Sequence, residues 1–319
     1  MRAKGWIETF KHPFRTGYKV FHEFIMDDGP FVSAGIAFFA FFSLFPLVLI
    51  SVALLSYLYT PEEAIQDTIA LAAWFLPPDM VKFLDDHVRE LFTESKKIGL
   101  AGFLVLLWSG RQLFRAMELA LHKAWEIPLD RNWFVGNLLA MMLVLLCTAV
   151  VLAVGATSLA LTWLSATLRQ VEFPQMIEQR WDLADAIVMS HIHSWVVVPT
   201  AVTVIFLLLY IILPSRRVPV SMAIPGALFS CIAWKLSTWI YLTIIVQAAA
   251  ENPFLATVWG VVGLLVWLYI EATVFMLGAE LVFVNLDEAE RVALGKAVAV
   301  KTTSVEKKTE KKSEKKKAK

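Results

Sequence analysis

From Trp133 to Leu168 the chain carries no charged residue at all. A helix of about 20 apolar residues already crosses a hydrocarbon layer roughly 30 Å thick. In oil the backbone must satisfy its own N–H and C=O groups, which leaves helices or closed barrels as spanning forms. Comparable runs lie at 31–59 and 194–213, at 218–246 with one interruption by Lys235, and at 254–286 with two, Glu271 and Glu280. A sixth is shorter, 98–109, and is followed by Gly110 and Arg111. Continued as a helix, it places Leu113, Phe114, Met117, Leu121 and Trp125 on one face and Arg111, Arg115 and Glu118 on another. The residue set AVILMFWYC makes up 58% of the chain and DEKR 18%, where soluble domains run near 45–50% and about 25%. The expectation is an all-α polytopic membrane helix bundle with six transmembrane helices, at about 31–59, 98–120, 133–168, 194–213, 218–246 and 254–286.

Lysine and arginine near span ends set the direction, because cytoplasmic loops carry the excess. With the first segment inside, the inner segments ahead of Lys301 hold thirteen basic residues and the outer ones six. Both termini are therefore expected in the cytoplasm of a bacterial inner membrane, which requires an even number of spans. Residues 1–28 form an amphipathic N-terminal segment in which Phe14, Tyr18 and Phe21 alternate with Arg15 and Lys19. Lying on the membrane surface or packing on the bundle suits it equally. Residues 29–291 form the membrane domain, and 292–319 a disordered, lysine-rich tail. The last nineteen residues hold nine Lys and three Glu, a composition that solubilises and fixes topology and attracts anionic lipid headgroups. Membrane lipids and an unknown small solute or lipid are the expected partners; a net charge of +1 gives no reason to expect nucleic acid.

The long connection at 60–97 carries its own helix starts. Thr60-Pro61-Glu62-Glu63 reads as a capping box with proline at the first helical position. Pro77-Pro78-Asp79 opens a second amphipathic helix with Met80, Leu84, Val88, Leu91 and Phe92 on one stripe. Two short helices forming an acidic lid are expected, with Asp85 and Asp86 on a solvated face.

Phosphate-cradle, dinucleotide, serine-hydrolase and zinc-protease motifs are all absent from the sequence. No enzyme activity and no cofactor are expected. His191 and His193 have a ligand-like spacing but lack a third donor nearby, so a metal role is the weaker reading. Cys147 and Cys231 sit in apolar runs as small hydrophobes. Intramembrane charge is the stronger pointer, since an ionisable side chain at the bilayer centre costs about 2.5–3.5 kcal/mol on the lenient insertion scale. Lys235 and Glu271 lie at similar depths on consecutive antiparallel helices, so an ion pair between them is expected, either lining a solute path or locking the last two helices. Glu280 is expected as an interfacial cap, with Arg111, Arg115 and Glu118 as polar lining. Pro46, Pro199 and Pro225 are expected helix kinks.

Ser43-Leu44-Phe45-Pro46, Leu213-Pro214-Ser215-Arg216-Arg217-Val218-Pro219, Lys235 followed by Tyr241, Trp267-Leu268-Tyr269 and Leu277-Gly278-Ala279-Glu280 together resemble the YihY/BrkB family of bacterial inner-membrane proteins. The resemblance runs from about Gly29 to Arg291. It implies six spans, a cytoplasmic N-terminus and a transport or envelope-maintenance role. A structural or lipid-interacting protein without flux is the alternative, and the ribonuclease BN label once carried by the family is the reading with least behind it. Two positions depart from the family's pattern: His122 stands where asparagine is frequent, and Ile232 where an acidic residue often precedes the lysine of the fifth span.

Overall fold

The computed structural model describes residues 12–55, 60–73, 80–82, 84–87, 98–128, 131–168, 193–216, 218–241, 243 and 253–285. Most of these residues lie in α1 (Pro13–Met26), α2 (Gly29–Leu55), α3 (Pro61–Ala72), α4 (Ile98–Ala124), α5 (Trp133–Leu168), α6 (Val198–Ile212), α7 (Val220–Ile240) and α8 (Pro253–Val284), and 80–82 and 84–87 are helical too. A π-helical turn, His193–Val197, leads into α6, and no strand occurs among the described residues. Among the described residues, four helical stretches are long and apolar enough to cross a membrane: Trp133–Thr157, His193–Ile212, Val220–Ile240 and Val261–Val284. The pair Pro13–Met26 and Gly29–Leu44, bent by 72°, makes a fifth if it counts as one span. Helix α4 covers the segment read as the second span, with its side chains described from Trp108 onward.

Large apolar side chains line the outer sides of the helices. On α5 Leu138, Met142 and Leu145 are exposed at helical spacing, and on α7 Leu228, Ile232, Leu236 and Trp239 are too. Continuous stripes of large apolar side chains turned outward are a liability in water and ordinary in hydrocarbon. Ile232, 69% exposed, belongs to such a stripe, which accounts for an apolar residue there.

Helix α2 packs along both α4 and α8, α8 along α7, α7 along α6, and α5 along α4. The main core gathers Phe24, Ile36, Leu121, Trp125, Tyr210 and Phe275 near the α1–α2 elbow. A second cluster, Val154, Val198, Val202, Cys231 and Trp234, fills the space between α5, α6 and α7.

At the elbow, Asp28 adopts φ 52°, a left-handed conformation that Asp tolerates better than most residues, and its carboxylate pairs with Lys123. A side chain on Gly29 would collide with the Phe24 ring and its carbonyl, so the turn needs glycine there. At the far end, the capping box is formed: Thr60 N donates to Glu63 Oε2 at 2.9 Å and Glu63 N to Thr60 Oγ1 at 3.4 Å. The donors Thr60 N and Thr60 Oγ1, both on Glu63 Oε2, hold the Glu63 carboxyl below its usual range. Ala64 and Ile65 of α3, with Leu84, pack on Val52, while Met80 packs on Tyr241, Leu264 and Trp267. The described parts of the long connection are thus seated on the bundle by apolar contacts. Val88, Leu91 and Phe92 of its expected stripe lie outside the described residues, as does the tail.

The prolines behave differently from one another. Pro225 is inside α7, and Pro46 falls within α2. Pro199 lies in the outer part of the fourth span, on the first turn of α6 where the π turn His193–Val197 runs into it.

Candidate functional site

Three polar groupings lie among the apolar helices. The first is at the elbow end. Arg115 Nη1 donates to Glu118 Oε2 at 2.6 Å, and Arg131 Nη1 donates to Glu118 Oε1 at 2.9 Å. Arg131 also donates to the carbonyls of Leu213 at 3.0 Å and Pro214 at 2.8 Å. One turn beyond Glu118, His122 Nε2 accepts a bond from Ser215 N at 3.1 Å. Arg131, anchored on Glu118, and His122 therefore hold the Leu213-Pro214-Ser215 turn between α6 and α7 onto α4. Glu118 is 3% exposed, and a buried carboxylate of this kind persists only with charged or multiple donors. Arg111 lies higher on α4: its Nε donates to Asn137 Oδ1 at 2.7 Å, and its guanidinium sits 5.6 Å from the Trp133 ring centroid. The expected polar lining is in fact a brace between α4, α5 and the α6–α7 turn.

The second grouping corrects the expected ion pair. Lys235 and Glu271 do not pair. Lys235 Nζ donates to Ser194 O at 3.4 Å and stands 5.4 and 5.6 Å from the ring centroids of Trp195 and Trp234. Glu271 instead accepts from Ser237 Oγ at 2.9 Å. Helical rotation gives the reason: Lys235 and Ser237 are two residues apart, about 200° around α7, so the face that meets α8 carries the serine and the lysine turns toward the π turn. Similar depth is necessary for a pair and does not fix azimuth. The second oxygen of Glu271, Oε2, is buried without a hydrogen bond.

The third grouping is Glu280, which is fully buried rather than an interfacial cap. It faces Asp27 and Glu23 from the elbow, and burial raises the Asp27 carboxyl above its ordinary range despite the nearby Lys123.

Between these groupings runs a packed knot. Tyr210 Oη donates to Phe275 O at 2.8 Å and lies 2.8 Å from Ser230 Oγ, while Trp125 Nε1 donates to Ala279 O at 2.8 Å. A side chain on Gly278 would strike Ser230 Oγ and Tyr210 Oη, so glycine is needed for α7 and α8 to touch. His193 is buried, with Nε2 3.3 Å from Val154 O; His191 lies outside the described residues. Among the described residues, no group of three or more His, Cys, Asp or Glu side chains is placed to hold a metal ion. Sequence reasoning missed Arg131, which looks like any loop arginine, and Tyr210, which looks like one more aromatic in a span.

Fold and site together define an integral membrane protein built from apolar helices with a few braced charges. The sequence profile of virulence factor BrkB matches residues 20–300, and the chain belongs to that family. It is 22% identical over 82% of its length to a ribonuclease-like protein, YfkH, of Bacillus subtilis (strain 168), covering 92% of that protein. It is 26% identical over 67% of its length to a UPF0761 membrane protein of Idiomarina loihiensis, covering 70%. A UPF0761 membrane protein of Pseudoalteromonas atlantica is 24% identical over 81% of each chain. No solved structure matches.

Proposed function

We propose that this protein is a transporter-like component of the bacterial inner membrane, with six spans, the elbow and both termini on the cytoplasmic side, and no enzymatic activity. The single observation that carries the reading is Glu271. Its carboxyl sits inside the apolar stretch of α8, accepts one serine hydroxyl bond, and leaves Oε2 buried and unbonded. An ionisable group kept at membrane depth without a counter-charge marks a solute or ion path. A purely structural carboxylate would be expected to carry the pairing that Glu118 has. The basic residues counted at the elbow side support the orientation.

Uptake of labelled organic anions, organic cations and neutral solutes into proteoliposomes tests this. Flux of at least one class, lost in Glu271→Gln with an unchanged elution profile and melting temperature, is the expected result. Absence of flux for all classes, with phospholipid retained through purification, would favour the second reading: a lipid-interacting or envelope-maintenance protein, supported by the exposed aromatic face of α1. A nuclease reading is supported only by the name of one relative.

A further inference from the structure

Helix α1 presents three faces. Val20 and Phe24 are buried against the bundle. Phe14, Tyr18, Phe21 and Ile25 are exposed, Phe14 at 94%; at about 100° per residue they form one stripe roughly a quarter turn from the buried side. Arg15, Lys19 and His22 are exposed on the flank beyond that stripe. Of the acids near the elbow, Asp28 pairs with Lys123, and Glu23 and Asp27 are partly buried while Arg15 and Lys19 are exposed. The free charge on the outer flank of α1 is therefore positive.

The bend of 72° between α1 and the start of α2 decides what this surface meets. If α2 runs across the bilayer, α1 lies nearly in the membrane plane, and its apolar stripe turns toward lipid. Other exposed aromatics sit at the same end: Phe31 on the first turn of α2, and Trp133 and Phe134 on the first turn of α5. Aromatic rings gather at the headgroup level of a bilayer, and α1 continues that belt sideways.

We infer that α1 is an anionic-lipid-binding helix. Phe14, Tyr18, Phe21 and Ile25 enter the acyl boundary of the leaflet at the elbow end, and Arg15 and Lys19 hold the phosphates of acidic phospholipids. Apolar insertion alone would take any phospholipid; the two cations on one flank select a negative surface. Their spacing of four residues puts them one helical turn apart, about the reach of neighbouring headgroups. The inference does not depend on whether the bundle carries a solute.

The test uses the full-length protein with Cys147→Ala and Cys231→Ala and carrying Tyr18→Cys, labelled at that cysteine with an environment-sensitive fluorophore, in nanodiscs of phosphatidylcholine with or without phosphatidylglycerol. Nitroxide on the headgroup of either lipid reports local enrichment, and aqueous iodide reports exposure. Expected are a blue-shifted emission, little iodide quenching, and stronger quenching by nitroxide-phosphatidylglycerol than by nitroxide-phosphatidylcholine. Arg15→Gln with Lys19→Gln should bring that ratio close to one, by about fivefold per charge, while Arg15→Lys with Lys19→Arg should keep it. Since all four changes are on exposed side chains, the variants fold alike, and a matched elution profile checks this. A label quenched by iodide and not by lipid, as on a solvated helix or one awaiting a protein partner, would overturn the inference. So would a lipid ratio indifferent to the two charges.

Discussion

Arg131 meets Glu118 at 2.9 Å while the same guanidinium spans to the carbonyls of Leu213 and Pro214. A loop arginine thereby neutralises a buried acid on α4 and caps the end of α6 in one stroke. Replacing Arg131 by Met leaves Glu118 buried with only the half-exposed Arg115. Breaking one side of such a pair costs about 3–5 kcal/mol. Arg131→Met should lower the melting temperature in detergent sharply. Arg131→Lys should recover little, because an ammonium cannot reproduce the planar fork that serves three acceptors. A melting temperature within a degree or two of wild type for Arg131→Met would show that the brace is dispensable.

The knot between α7 and α8 gives a second prediction. Gly278→Ala forces a methyl group into Ser230 Oγ and Tyr210 Oη. Overpacking of this kind costs about 1–3 kcal/mol, and the cost is shared with the two hydrogen bonds it displaces. Removing one obstacle in Gly278→Ala with Ser230→Ala should restore part of the loss. Melting temperatures of the two variants check it: a double variant no better than the single would place the strain elsewhere.

The apolar periods made the helices readable, because crossing oil leaves the backbone little choice. Helices α2, α4 to α8 and the capping box at Thr60 all fall where runs and caps placed them. Partners were less readable. Depth along a helix follows from counting residues, whereas azimuth depends on which neighbour packs where, and nothing local to Lys235 says that Ser237 rather than Lys235 would face α8. Glu280 shows the same limit: proximity to a span end is legible, burial behind an elbow that folds back on it is not. Arg131 was invisible because its importance lies in a turn more than eighty residues downstream.

Independence of Lys235 and Glu271 is itself measurable. Lys235 is held by Ser194 O and two indoles, Glu271 by Ser237. A double-mutant cycle with Lys235→Met and Glu271→Gln should give additive changes in stability, within about 0.3–0.5 kcal/mol. Contacting charges would couple by about 0.5–3 kcal/mol. Strong coupling would bring back the ion pair. In the same series, Trp195→Leu should weaken the hold on Lys235 and leave Glu271 unaffected.

His122 makes the α6–α7 turn sensitive to acid. The residue lies past the end of the 98–120 segment, and its Nε2 accepts from Ser215 N, so Nδ1 carries the proton of the neutral ring. Burial is the largest influence and lowers the tendency of His122 to take a second proton; Glu118 pulls the other way, and Arg131 and Arg115 add to the lowering. A histidine in the unfolded chain titrates near 6.5, and the folded one titrates below that. The neutral form is common to both states above that pH, where the contribution is intact. As pH falls through the unfolded value, the unfolded chain binds the proton first and stability drains away until the folded ring titrates as well. Protonation also converts the acceptor of the Ser215 bond into a donor. Corrected for its intrinsic pH dependence, hydrogen exchange at the Ser215 amide should therefore speed up as pH falls from about 7.5 to about 5.5. Asparagine at 122 offers a carbonyl acceptor with no titration. In His122→Asn the exchange rate, corrected for its intrinsic pH dependence, should stay flat over that interval. A wild-type turn whose corrected exchange is equally flat would remove His122 as the group that senses pH.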